Sequence, residues 1–123
     1  MTESNVSVID FAGDPLGVLQ RTLDKDRVIE GDPHHAVQSF FENETGELVA
    51  GVWESTPGKW HAFTGRDEFC YIIEGHVRLT DAQGNAKTFK TGDAFLIPNG
   101  FTGTWEVLET TKKHYVILKY GDD

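Results

Sequence analysis

Apolar and polar residues alternate along most of this chain in runs of four to eight, rich in β-branched and aromatic side chains and separated by short polar segments that carry glycine. Alternation with period 2 is the pattern of half-buried strands, because successive side chains on a strand point to opposite faces. The runs fall at residues 36–41, 47–54, 59–63, 67–74, 76–81, 86–89, 94–97, 101–108 and 114–120. Asn43-Glu44-Thr45-Gly46, Asp81-Ala82-Gln83-Gly84-Asn85 and Lys90-Thr91-Gly92-Asp93 lie between runs and read as hairpin turns. The best helix-period stretch, residues 15–24 (PLGVLQRTLD), is short and interrupted by Gly17. The pattern predicts an all-β chain, a sandwich or barrel of many short strands. Residues 1–35 read as an N-terminal arm and 36–123 as the barrel, one domain overall, since 123 residues bury one core and hardly two.

One strand stands apart. Residues 67–74 (DEFCYIIE) place Glu68, Cys70 and Ile72 on one face and Phe69, Tyr71 and Ile73 on the other. A strand apolar on both faces is covered on both, by the barrel interior on one side and by a second sheet, the arm or another subunit on the other, so a homodimer is expected. Glu68 is the oddity, because a carboxylate pointing into a barrel must be solvated, paired or coordinated.

Glu68 followed after six residues by Gly75 (EFCYIIEG) resembles the end of the first cupin motif, G-x5-H-x-H-x3-4-E-x6-G. Gly92 to Gly100 (GDAFLIPNG) is similar to the second, G-x5-P-x-G-x2-H-x3-N. The wider pattern GVWESTPGKW, DEFCYIIEGHVRLTD, GDAFLIPNGFTGTWEV and KKHYVI resembles a small single-domain cupin subgroup long described as a domain of unknown function, related to ureidoglycine aminohydrolase and to an ethanolamine-utilisation protein. The resemblance implies a cupin barrel, a jelly-roll-like double-stranded β-helix. Without it, Gly75 and Gly92 still read as turn positions and Pro98 with Gly100 as a strand-breaking corner.

In the metal-dependent cupins the resemblance points to, two His and one Glu of the first motif and one His of the second hold a divalent ion. Counting from Glu68, those first-motif positions fall on His61 and Phe63; counting from Gly100, the second-motif His position is Gly103. His61 and Glu68 are what is left to hold a metal, and two ligands fall short of the three or more that transition-metal sites normally use. No cofactor is therefore expected. Cys70, on the face of Glu68, reads either as a thiolate ligand or as a buried thiol, the commoner state of cysteine. His34 and His35 follow Pro33 in what reads as a surface turn, and adjacent strand residues point to opposite faces, so the pair is set aside. His76 and His114 have no partner pattern.

What replaces the ligands changes the chemistry of the pocket. Gly103 and Trp105 share a face of the 101–107 strand, so Trp53, Phe63, Trp105 and Tyr115 are expected to line a cleft around Glu68, with His61, Cys70 and Lys113 beside it. Lys113 is a counter-charge for the carboxylate. In such a cleft burial raises the pKa of Glu68 and a neighbouring His61 or Lys113 lowers it. Composition narrows the partners: 20 acidic against 11 basic residues give a net charge of -9, which opposes nucleic acid and anionic membranes. A single cysteine and the lack of a signal-like start point to the cytoplasm. The expected function is binding of a small organic molecule. The alternative is a metal-independent or weakly metal-dependent enzyme of isomerase, lyase or aminohydrolase type, with Glu68, His61 and Tyr115 as catalytic candidates.

Overall fold

A computed structural model of the chain describes residues 6–120. Those residues form nine strands and no helix: β1 (Gly17–Thr22), β2 (Val28–Gly31), β3 (His34–Glu42), β4 (Leu48–Ser55), β5 (Gly58–Phe63), β6 (Arg66–Asp81), β7 (Ala86–Lys90), β8 (Ala94–Ile97) and β9 (Thr102–Lys119). Every pairing is antiparallel. None of the described residues forms a helix long and apolar enough to cross a membrane.

The two long strands, β6 and β9, pair along most of their length and belong to both halves of a curled sheet. The C-terminal part of β9 lies between β4 and the start of β6, extending the order β1-β3-β4-β9-β6-β8. Its N-terminal part lies between β5 and the end of β6, giving β2-β5-β9-β6-β7. The two halves fold over one core that holds Trp53, Trp60, Trp105, Ile72, Val77 and Leu79. Complete burial of one Ile or Val side chain is worth roughly 1.5–3 kcal/mol, and Ile72 and Val77 are fully buried.

The bend falls where the β6–β9 register shifts, between Ile72 and Val77. Gly75 there has φ +128, and a Cβ on it would lie 2.2 Å from Thr111 Oγ1. Thr111 is itself buried; its hydroxyl accepts from the His76 amide (3.1 Å) and donates to the Glu109 carbonyl (2.8 Å). The sequence pattern splits each long strand in two, at Gly75 and at the polar stretch before His114. The structure runs both through, because bulges absorb the irregularity while Lys112 and Lys113 pair with β4 on one side and β6 on the other.

Within residues 15–24, Gly17–Thr22 form strand β1, paired with β3, rather than helix. A ten-residue helix is not stable by itself in water, whereas β3 offers an open edge of backbone partners. The segment expected as an arm thus supplies two strands, β1 and β2. Ahead of them Phe11 stacks on Phe40 at 4.9 Å and meets His114 at 5.4 Å, covering the outer face of the sheet above Ala50 and Val52. Replacing Gly75 with Ala is expected to cost at least about 2 kcal/mol in urea unfolding, from strained φ plus overpacking against Thr111. Gly84→Ala, where a Cβ meets open space, is expected to cost only about 1 kcal/mol.

Candidate functional site

Alternation along the strands decides which side chains face inward. Cross-strand pairing aligns His35 with Ser55, Val37 with Trp53, Trp53 with Lys113, and Cys70 with Tyr115. From the other half, Trp60 and Trp105 are directly paired and their rings lie parallel, 6.1 Å apart. Between these walls is a cavity of about 620 Å³, lined by Trp53, Trp60, Trp105 and Tyr115 and by the charged Glu68 and Lys113.

At its centre Lys113 Nζ donates to Glu68 Oε2 at 2.7 Å, with both side chains buried. Cys70 Sγ completes a triangle, 3.4 Å from the same carboxylate oxygen and 3.4 Å from Nζ. Arg66 approaches the other oxygen of Glu68 at 3.6 Å, and the ammonium sits 4.5 Å from the ring centroids of both Trp53 and Trp105. Burial pushes the Glu68 carboxyl up, but Lys113 and Arg66 more than offset this and hold it below its ordinary value. Burial likewise pushes the Lys113 amine down, and the Glu68 carboxylate, with the hydrogen bonds Nζ makes to Glu68 and Cys70, reverses the effect. The Cys70 thiol is pushed up to about 12, chiefly by burial, and is an inert hydrogen-bonding group rather than a thiolate. Burial also raises the Tyr115 phenol.

The structure gathers Trp53, Glu68, Trp105, Lys113 and Tyr115 around one space, with Cys70 beneath them. It does not bring His61 there. Strand β5 turns Trp60 and Ala62 inward and leaves His61 and Phe63 on the exposed face. Phe63 is 64% exposed at the cavity rim, where Arg27 stacks on its ring at 5.3 Å. Counting motif positions back from Glu68 placed them one residue out of phase with the pleat, and a one-residue slip reverses every side chain. At Gly103 a Cβ would lie 1.9 Å from the Thr80 carbonyl oxygen, so close strand contact demands glycine there.

Two inward residues escape the sequence reading. Trp60 was legible as part of the β5 alternation, given the right phase. His35, set aside as part of a surface turn, is 5% exposed, packed against Trp53 and Trp60 with ring centroids 5.0 and 4.9 Å away. Pro33, two residues earlier, is fully buried, while Asp32 and His34 of the same turn are exposed. Burial, with Arg21, Lys113, Arg27 and His34 facing it, pushes the His35 imidazole down to about 4.

Glu68 is the inward carboxylate at the motif position, and the Lys113 ammonium engages it. Trp60 and Ala62 take the inward positions of β5. No group of three or more His, Cys, Asp or Glu suited to a metal occurs among the described residues.

A curled antiparallel sheet enclosing a polar centre in an aromatic cavity defines the class as a cupin. Residues 42–115 match the family model of the EutQ-like cupin domain, and the chain belongs to that family. Among solved structures it is similar to a protein of unknown function of the DUF861 family from Pseudomonas syringae pv. tomato, with 27% identity and a TM-score of 0.75 over 85% of this chain and 46% of that one. A DUF861 family protein from Thermotoga maritima is 34% identical over 52% of this chain and 73% of that one, with a TM-score of 0.51. The EutQ protein of Clostridium difficile, 21% identical with a TM-score of 0.63 over 70% of this chain and 63% of that one, shares the fold. The chain thus spans about half the length of the Pseudomonas protein and less than two thirds of EutQ. No curated protein sequence matches it.

Lys113→Met is expected to destabilise the protein by about 3–5 kcal/mol, since it leaves a buried carboxylate unpaired. Adding Glu68→Gln should restore at least half of that loss, measured by urea unfolding at pH 7. His35 gives the acid response its sign. The unfolded chain binds a proton at this residue near pH 6.5 and the fold only near pH 4, so stability falls as pH drops through that interval. The His35→Phe variant should lose this part of the pH dependence. The Glu68 contribution fades only below about pH 4.5, the ordinary value of its carboxyl.

Proposed function

We propose that this chain is a small-molecule-binding cupin that holds an organic ligand in the tryptophan-lined cavity, with the Lys113–Glu68 pair as its polar centre. The observation that carries the reading is an aromatic cavity of about 620 Å³ with a paired ammonium and carboxylate in its wall. Small-molecule sites of this size combine apolar walls with fixed polar groups, and here the tryptophans supply the walls while charged side chains make up much of the accessible lining. Lys113 fills the electrostatic role that a divalent ion has in the metal-dependent cupins, so the proposal includes no metal.

A second reading, an isomerase or lyase, draws on the same centre: an ionised Glu68 beside a protonated Lys113 can hold and return a proton, with Tyr115 nearby as a further donor. His61 has no part in it, being on the outer face. The homodimer is proposed on the outer face of β6, β8 and β9, where Phe69 pairs with Leu96 and Val116 and all three are exposed. The buried free thiol of Cys70 accords with a reducing compartment, and the cytoplasm is proposed on that basis.

Native mass spectrometry of protein purified without a histidine tag tests the main reading. A small organic molecule released on denaturation is expected, with less than about 0.1 equivalent of Fe, Mn, Ni or Zn. One equivalent of metal bound at Glu68, lost in Glu68→Gln, would overturn the reading.

A further inference from the structure

The lining of the cavity reverses the charge of the molecule. The whole chain carries 11 basic and 20 acidic residues. Around the cavity stand Arg21, Arg27, Arg66, Lys113 and Lys119 against Asp24 and Glu68 alone. Lys113 and Glu68 cancel each other inside. The surplus is therefore at the mouth, where Arg27 and Arg66 are partly committed: Arg27 donates to the His61 carbonyl at 3.1 Å and Arg66 leans toward Glu68.

Arg21 is uncommitted. Its side chain is exposed and forms no hydrogen bond or ion pair among the described residues, while its position on β1 is directly opposite His35 on β3. Directly opposed residues share a face of the sheet, and both line the cavity. His35 is the complementary half of the arrangement. Neither of its ring nitrogens has a hydrogen-bond partner, although the side chain is buried. An orphaned buried donor or acceptor carries an uncompensated desolvation cost, and the cost is removed when a ligand supplies the partner. The imidazole is neutral at pH 7, so it offers one N–H and one lone pair without adding charge.

Resting on the ligand-binding reading above, we propose that the cavity takes a small flat organic anion, its carboxylate shared between the Arg21 guanidinium and the His35 N–H and its flat body against Trp53 and Trp60. An Arg–carboxylate pair is charge-assisted and bidentate, which selects a carboxylate over an amide of the same shape. The aromatic walls select a planar body over a compact one.

Three probes of one shape separate the terms: benzoate, benzamide and benzamidine, titrated against the tryptophan emission of the intact chain. Benzoate is expected to bind at least about tenfold more tightly than the neutral amide or the cation. In Arg21→Gln the benzoate affinity should fall about tenfold while benzamide binding is unchanged, a pattern that general unfolding does not produce. In His35→Phe, which keeps an aromatic ring against Trp53 and Trp60, benzoate should weaken by at least about fivefold. Benzamide or benzamidine binding as tightly as benzoate overturns the anion and leaves the ligand-binding reading standing. Undiminished benzoate binding in Arg21→Gln overturns the assigned subsite. Failure of all three probes to bind overturns this proposal, and if no co-purified molecule is found either, the ligand-binding reading falls with it.

Discussion

Two opposite charges held 2.7 Å apart inside an aromatic box set the terms for the rest of this fold. Taking an ammonium and a carboxylate out of water costs several kcal/mol per ion, and their mutual attraction offsets that only when the geometry is good and the remaining valences are satisfied. Here the Cys70 thiol, the Arg66 guanidinium and the faces of Trp53 and Trp105 supply the remaining partners. Lys113 comes from β9, Glu68 and Cys70 from β6, and Trp53 from β4, so the register among three strands is fixed by one electrostatic requirement. A slip of one residue in β6 or β9 would bury a charge without a partner, and one in β4 would remove the Trp53 face from the ammonium.

An apolar pair of similar volume commonly stabilises such an interior at least as well. Stability therefore gives no reason to keep a lysine and a glutamate there, and the cavity above them does. The same contrast separates the inside from the outside. A chain that is acidic overall gathers a basic rim around one opening and leaves an unpartnered neutral imidazole in the wall beneath it. Unsatisfied groups and local reversals of charge are where folding and binding requirements diverge, and in this chain both occur at one end of one cavity.

Much of the architecture was written in local pattern. Period-2 alternation and glycine-bearing turns located β3 to β5, β7 and β8 to within a few residues. The motif glycines, with Gly75 at φ +128 and Gly92 at φ +93, marked the bend and a turn where only glycine sits without strain. The pairing of Glu68 with a basic residue was also legible, because a carboxylate in an inward position needs a partner. The β1 segment was not. Its residues carry helix periodicity, and only the open edge of β3, contributed by residues far along the chain, makes it a strand.

The sequence by itself determined an all-β chain and an inward Glu68 through short-range alternation, and its two glycine-bearing motifs carried the resemblance to cupins. Tertiary structure decided the chemistry of the site. The phase of β5 relative to β6 is set by pairing with β9, and it turns Trp60 inward and His61 outward. The burial of His35 depends on Trp53 and Trp60 arriving from two other strands, and its meeting with Arg21 depends on β1 adding to the sheet edge. Side-chain identity is local information, but which face of a strand is covered depends on what packs against it, and only the assembled sheet fixes that.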